Sequence, residues 1–218
     1  MAYRKFQEDM DAQNINEQVR AYYEDKLIRF GATYRGVDWN SEASQSLRLR
    51  VLLRGLGVDM LDSFSVLDYG CGYGALVEVA NTISPNFSYT GFDVSSAMIE
   101  VARQRFRDVG STIAFTTELP DTTFDYTIAS GVFNVKGETN DADWEEYVFH
   151  CVDQMSKAAG IGFGFNMLTL YSDPDRRQSH LYYADPLRVF DLCRRRYSSK
   201  VSLIHDYELY EFTIVVKR

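Results

Sequence analysis

Two hydrophobic periods divide this chain. From Ile15 to about Phe30, apolar Val19, Tyr22, Tyr23, Leu27 and Phe30 recur at helical spacing, which predicts an amphipathic helix. A glycine-bearing loop over 31–40 follows. Ser41 can then cap a second helix whose stripe is Leu47, Val51, Leu52 and Leu56, ending at Gly55 or Gly57. Beyond it, short apolar runs of strand length alternate with helical patterns. Strands are expected over 65–69, 87–92, 112–116, 124–130 and 160–168, and helices over 75–83, 95–109, 143–155 and 186–196. The third strand passes to the fourth by a short crossover through Leu119 and Pro120. Two strand-like runs, 200–205 and 210–216, close the chain on either side of a short acidic turn.

Alternating strand and helix predicts a parallel sheet with helices on both faces. The last two strands have no helix between them, and so short a link makes an antiparallel hairpin. The expected fold is therefore α/β: a doubly wound, mostly parallel seven-stranded sheet ending in an antiparallel hairpin. The two helices over 1–60 precede it as a lid segment, and 61–218 form the sheet domain. No repeat, low-complexity tract or Pro/Gly/Ser linker divides the chain further.

The most informative stretch is Val66-Leu67-Asp68-Tyr69-Gly70-Cys71-Gly72-Tyr73-Gly74: a buried strand, an acid near its end, and a glycine turn opening a helix. Glycine tolerates positive φ and has no Cβ, so such a turn lets a ligand approach the backbone. About twenty residues on, Tyr89-Thr90-Gly91-Phe92-Asp93 is a second short strand ending in a carboxylate, placed for the hydroxyls of a ribose. The glycines are spaced G-x-G-x-G after an acid, not as the G-x-G-x-x-G of a dinucleotide fingerprint. That spacing resembles motif I of the class I S-adenosylmethionine (SAM)-dependent methyltransferases, and the terminal hairpin resembles their sheet. The resemblance covers 61–218 and makes that span a SAM-binding methyltransferase domain.

The resemblance implies a role for each matching residue. Asp68 would hold the glycine loop, directly or through water, against the cofactor's amino group. Gly70, Gly72 and Gly74 would run along its methionine moiety, with Cys71 contributing backbone. Asp93 would accept both ribose hydroxyls, and Val94 and Met98 would pack on the adenine. Glu118 and Leu119, after the third strand, stand where the family often places an acid near the adenine amine; a solvated loop acid is the alternative for Glu118. Ser130 and Gly131 would line the methionine pocket, with Asn134 facing the substrate. The segment 39–48 looks like the entry helix of some small-molecule methyltransferases. There Trp39 would cover the site, while Gln45 and Arg48 reach the cofactor carboxylate; an ordinary helix with a Trp packed on the sheet is the alternative.

Composition narrows the partners. The chain has 218 residues, a net charge of -8 and 45% hydrophobic residues, suited to one α/β domain with a modest N-terminal addition. An acidic protein repels phosphate backbones, so nucleic acid is not expected as a partner, and Arg194-Arg195-Arg196 reads as the last turn of a helix. No apolar run reaches the roughly 18 residues of a membrane span, and 1–9 lack the apolar core of a secretory signal. Three scattered cysteines point to a reducing cytoplasm and away from a metal site.

Methyl transfer from a sulfonium is a direct displacement, so alignment matters more than acid–base groups. If a base is used, His180 is the candidate, since an imidazole takes a proton near neutral pH; Asn134, Tyr22, Tyr23, Tyr182 and Tyr183 are the other expected substrate contacts. Loops too short for a substrate domain predict a small acceptor: a sugar, amine or secondary metabolite methylated on O or N. Methylation of a peptide and a non-catalytic SAM-binding domain are the competing readings, with a nicotinamide dehydrogenase behind them. Oligomeric state is not legible.

Overall fold

Seven strands form one sheet in the order β3-β2-β1-β4-β5-β7-β6. They are β1 (Phe64–Tyr69), β2 (Phe87–Phe92), β3 (Ile113–Thr116), β4 (Phe124–Ala129), β5 (Ala159–Leu168), β6 (Lys200–Ile204) and β7 (Glu211–Lys217). The helices are α1 (Ala2–Phe30), α2 (Glu42–Leu56), α3 (Ala75–Ile83), α4 (Ser96–Arg105), α5 (Asp141–Ala158) and α6 (Pro186–Arg196). This computed structural model describes residues 2–110 and 112–218, with side chains from residue 12 onward. The side chains of 1–11, on which the expectation of no secretory signal rests, lie outside the described residues. No helix among them is long and apolar enough to cross a membrane.

β1 to β5 pair in parallel, while β7 runs antiparallel to both β5 and β6. The link from β6 to β7 is too short for a crossover, so β7 turns straight back and wedges between β5 and β6. Strand order reverses at β1 and β4, which lie side by side while their following connections diverge. That divergence opens a crevice at the carboxyl ends of the strands.

Both faces of the sheet are buried, so its strands read as nearly continuous apolar runs. Alternate residues serve opposite layers: Val66 joins a core with α2, α3 and α4, while Leu67 joins one with α5 and α6. Along β7, Phe212, Ile214 and Val216 face the second core and Val215 the first. Trp144 of α5 is fully buried and donates its indole N–H to the Phe133 carbonyl at 3.0 Å, tying that helix to the segment after β4.

Several helix boundaries differ from the sequence expectation by more than the single residue seen at strand ends. α1 extends back to Ala2, because 2–14 are mostly strong helix formers with no Gly or Pro. α4 stops at Arg105, and α5 starts two residues early because Asn140 caps it, accepting from the Ala142 and Asp143 N–H groups at 3.1 Å each. The α2 stripe is also rotated. Leu49, Leu52, Leu53 and Leu56 are buried, with Gln45 and Arg48 on the same face, while Leu47 and Val51 sit half-buried on its flank. A polar arginine hides this face from a count of apolar positions.

Ser41 accepts from the Ser44 N–H at 3.1 Å at the start of α2, and Gly57 closes the helix at φ 85°. Ser41→Ala should lower unfolding free energy by about 1 kcal/mol, measured by urea denaturation with an unchanged m-value. A loss indistinguishable from zero would show that this cap does not secure α2.

Candidate functional site

The glycine turn after β1 is stapled to the end of β2. The Gly70 and Cys71 N–H groups donate to the Phe92 carbonyl at 2.8 and 3.0 Å, and the Gly72 N–H donates to Asp93 Oδ2 at 2.9 Å. The other Asp93 oxygen accepts from the Ser95 N–H at 2.9 Å, at the N-terminus of α4. Gly70 and Gly72 have φ of 75° and 53°, a region that disfavours side chains, and a Cβ on Gly70 would lie 2.4 Å from Val132. Burial pushes the Asp93 carboxyl up, and its two backbone donors pull it down.

A cavity of about 100 Å³ sits on this turn. Asp68, Gly70, Cys71, Gly72, Asp93, Val94, Met98, Ser130, Gly131 and Gln45 all border it, so ten of the residues singled out in the sequence come together. Tyr69, Tyr73, Phe92, Leu49, Val37 and Tyr147 also stand on its walls. Asp68 is 4% exposed and accepts from the Tyr89 hydroxyl at 2.8 Å. Burial and the nearby Asp93 charge push its carboxyl up, against the Tyr89 hydrogen bond, to about 7. Burial likewise raises the Cys71 thiol well above its ordinary value, with the Asp93 and Asp68 charges adding to it, which disfavours the nucleophilic thiolate.

Helix α1 lies across the mouth. Asn16, Val19, Arg20 and Tyr23 border the cavity from above. The helix is tied down where Ser95 Oγ donates to Glu24 at 2.9 Å and the Tyr147 hydroxyl donates to Asn16 at 2.6 Å. Near its far end the Tyr22 hydroxyl and Lys26 Nζ reach the Asp38 carboxylate at 2.5 and 2.6 Å.

Four of the residues expected at the cofactor lie elsewhere, and Glu118 and Leu119 are two of them. Glu118 is exposed in a turn closed by Thr116, and Leu119 packs against the α5 core. Gly74 is not on the wall either: at φ 84° it starts α3, where a Cβ would lie 2.8 Å from Phe106. Arg48 points away from the glycine turn and is held by Glu211, its Nε–H shared between the two carboxylate oxygens at 2.8 and 2.7 Å. Arg20 of α1 is the cationic side chain that borders the turn cavity, and the sequence did not single it out.

Beside the first cavity lies a cleft of about 730 Å³. Arg48, Glu211, Asn134 and His180 border it, with Tyr22, Tyr183 and Tyr210 as aromatic walls. Tyr182, expected here, instead packs against the α5 core. The Asn134 side-chain oxygen accepts from the Leu168 N–H at 3.2 Å, which fixes the side chain against β5. The two spaces meet at Tyr23, Val37, Trp39 and Gly131, which border both. Trp39 lies on Gly131 so closely that a Cβ there would come within 2.2 Å of its ring.

Sequence reasoning also missed what sets Gly131 in place. Asn166 is fully buried in β5; its side-chain oxygen accepts from the Gly131 N–H at 2.8 Å, and its amide donates to Ser130 Oγ at 3.2 Å. The signal was present as one amide in the apolar run Gly160–Leu168.

Comparison with known proteins agrees with this architecture. Residues 67–160 match the family model described as a methyltransferase domain. A Mycobacterium tuberculosis protein named "Putative methyltransferase Rv1506c" is 44% identical over 161 residues, 74% of this chain and 97% of the relative. Magnesium protoporphyrin IX methyltransferase from Synechocystis PCC 6803, solved with bound SAM, superposes with a TM-score of 0.64 at 14% identity, over 95% of this chain and 97% of that one. Human N-acetylserotonin methyltransferase in complex with SAM gives a TM-score of 0.56 at 16% identity, over 94% and 66% of the two chains. At these identities the two structures share the fold.

Asn166→Leu leaves the buried Gly131 N–H without an acceptor. It should cost about 1–3 kcal/mol in urea unfolding and alter the Trp39 environment seen in near-UV circular dichroism. A variant with wild-type stability and spectrum would show that Asn166 does not set the wall between the two spaces.

Proposed function

The chain belongs to the class I SAM-dependent methyltransferases, and from that premise we propose that it methylates an oxygen or nitrogen atom of a small molecule. It is an enzyme, and SAM is its cofactor. The observation that carries the finer reading is the junction of the two spaces at Tyr23, Val37, Trp39 and Gly131. A donor seated on the glycine turn and an acceptor seated in the cleft would meet across that wall.

The donor set of the turn cavity fits the cofactor. Asp68, Asp93 and Arg20 are its charged residues, the complement of a ligand that carries a sulfonium, an ammonium and a carboxylate. In this reading Asp93 takes the ribose hydroxyls, Val94 and Met98 bear on the adenine, Asp68 faces the ammonium and Arg20 the carboxylate. The positive φ of Gly70 and Gly72 keeps Cβ atoms off the turn's ligand face.

When bound, SAM supplies a methyl group already activated on sulfur. The residues around it then align the acceptor and exclude water, and positioning of this kind lowers a barrier by roughly 7–11 kcal/mol. Helix α1 supplies the cover. Asn134 and His180, on the cleft side, are the polar groups to orient the acceptor, and of the two only the His180 imidazole can receive its proton. A basic peptide suits the cleft less well, because Asp25, Asp38, Glu208 and Glu211 are matched there by Lys26, Arg29, Arg48 and Arg176.

Asp93→Ala should weaken S-adenosylhomocysteine binding by more than about tenfold while the far-UV spectrum stays native; unchanged affinity would remove Asp93 from the site. The raised Asp68 carboxyl gives a second test. A cationic ligand favours its ionised form, so binding below pH 7 must release a proton. SAM affinity should therefore rise by up to about tenfold per pH unit as pH climbs towards 7, then level off, and Asp68→Asn should flatten that rise. A profile that is level in the wild type would show that Asp68 does not face the cation.

A further inference from the structure

We propose that the Arg48–Glu211 pair reads an oxygen of the acceptor, and that the acceptor is an uncharged aromatic molecule carrying a carbonyl oxygen away from the atom that is methylated. The inference rests on the reading of the cleft as the acceptor's seat.

Arg48 is 5% exposed and Glu211 not at all. Glu211 holds the guanidinium through Nε alone, and Arg48 Nη1 is shielded from solvent with no hydrogen-bond partner among the described residues. Buried donors are nearly always paired in native proteins, and Arg48 borders the cleft. An oxygen arriving from the cleft would supply the missing acceptor.

The surroundings restrict what that oxygen belongs to. The guanidinium carbon lies 3.9 Å over the Trp39 ring, so the recognition group is flat and stacked, and it stands beside the shared wall. Tyr22, Tyr23, Tyr183 and Tyr210 line the same cleft, a set of faces suited to a planar ring. Charge argues for a neutral partner. Glu211 already answers the arginine, so a ligand carboxylate would crowd a second anion onto one guanidinium. A carbonyl oxygen accepts the hydrogen bond without that repulsion. Gln45, one turn earlier on α2, borders the turn cavity and Arg48 does not, which separates this pair from the cofactor.

The test is calorimetric titration of the S-adenosylhomocysteine-saturated protein with two probes of similar shape, 4-hydroxyacetophenone and 4-ethylphenol, which differ by the carbonyl oxygen. The wild type should prefer the ketone by about tenfold or more. Arg48→Met alone would leave Glu211 buried without its cation, so Arg48→Met is combined with Glu211→Leu. The double variant should lose the preference while its S-adenosylhomocysteine affinity stays within about twofold of wild type.

A wild type that binds both probes equally, or binds neither, overturns the proposal, as does a folded double variant that keeps the preference. A fall in S-adenosylhomocysteine affinity in the double variant also overturns it and assigns Arg48 to the cofactor. Failure of the wild type to bind S-adenosylhomocysteine at all would instead sink the function reading on which the proposal stands.

Discussion

The site depends on three backbone N–H groups from one turn that converge on the end of the neighbouring strand. Gly70 and Cys71 donate to the Phe92 carbonyl and Gly72 to the Asp93 carboxylate. A turn with this many inward-facing donors would be costly to bury unpaired. The β2 end meets that need and in doing so fixes where the turn lies relative to α4, because Asp93 also accepts from Ser95. Without that staple the glycines would be free hinges. With it they form a rigid ledge at the point where the sheet order reverses.

Around the ledge, acids outnumber bases, and the environment makes them consequential. Asp68 is shielded from water and sits near Asp93, so its proton affinity rises to about 7. A cation in the cavity relieves both the desolvation and the mutual repulsion, which links ligand charge to protonation at one identifiable group. The second constraint is Trp39. It is pressed against Gly131 from one side and stacked under Arg48 on the other, so one indole partitions the turn cavity from the cleft beside it. Two buried polar groups on neighbouring strands support that partition: Asn166 through Gly131 and Glu211 through Arg48.

The legible part of this molecule was the part encoded over short stretches. Strand β1, the glycine turn and Asp93 follow one another within thirty residues of Phe64, and each announces itself by residue type, so five of the named wall residues lie in that one stretch, and the resemblance it carries named Gln45, Val94, Met98, Ser130 and Gly131 besides. The hairpin was legible because its link is too short for anything else. What was hidden lies across the fold. Arg48 and Glu211 are 163 residues apart, and nothing local in either segment points to the other. An arginine inside an amphipathic pattern counts as polar, so the buried face of α2 was placed on Leu47 and Val51 and not on Leu49 and Leu53. Asn166 and Glu211 had a signal, a polar group in an otherwise apolar strand, but not its meaning. Arg20 had none, since an exposed helix arginine is ordinary until the helix is seen to cross a cavity.

The central claim is that the space on the glycine turn is where SAM binds. Calorimetric titration of the wild-type protein with SAM and S-adenosylhomocysteine, with NADH run in parallel, tests it most directly. The account predicts saturable binding of the first two near one equivalent, and no heat of binding from NADH. Binding of NADH, or no binding of either adenosyl ligand, would contradict it and leave the glycine turn as a structural feature of the sheet.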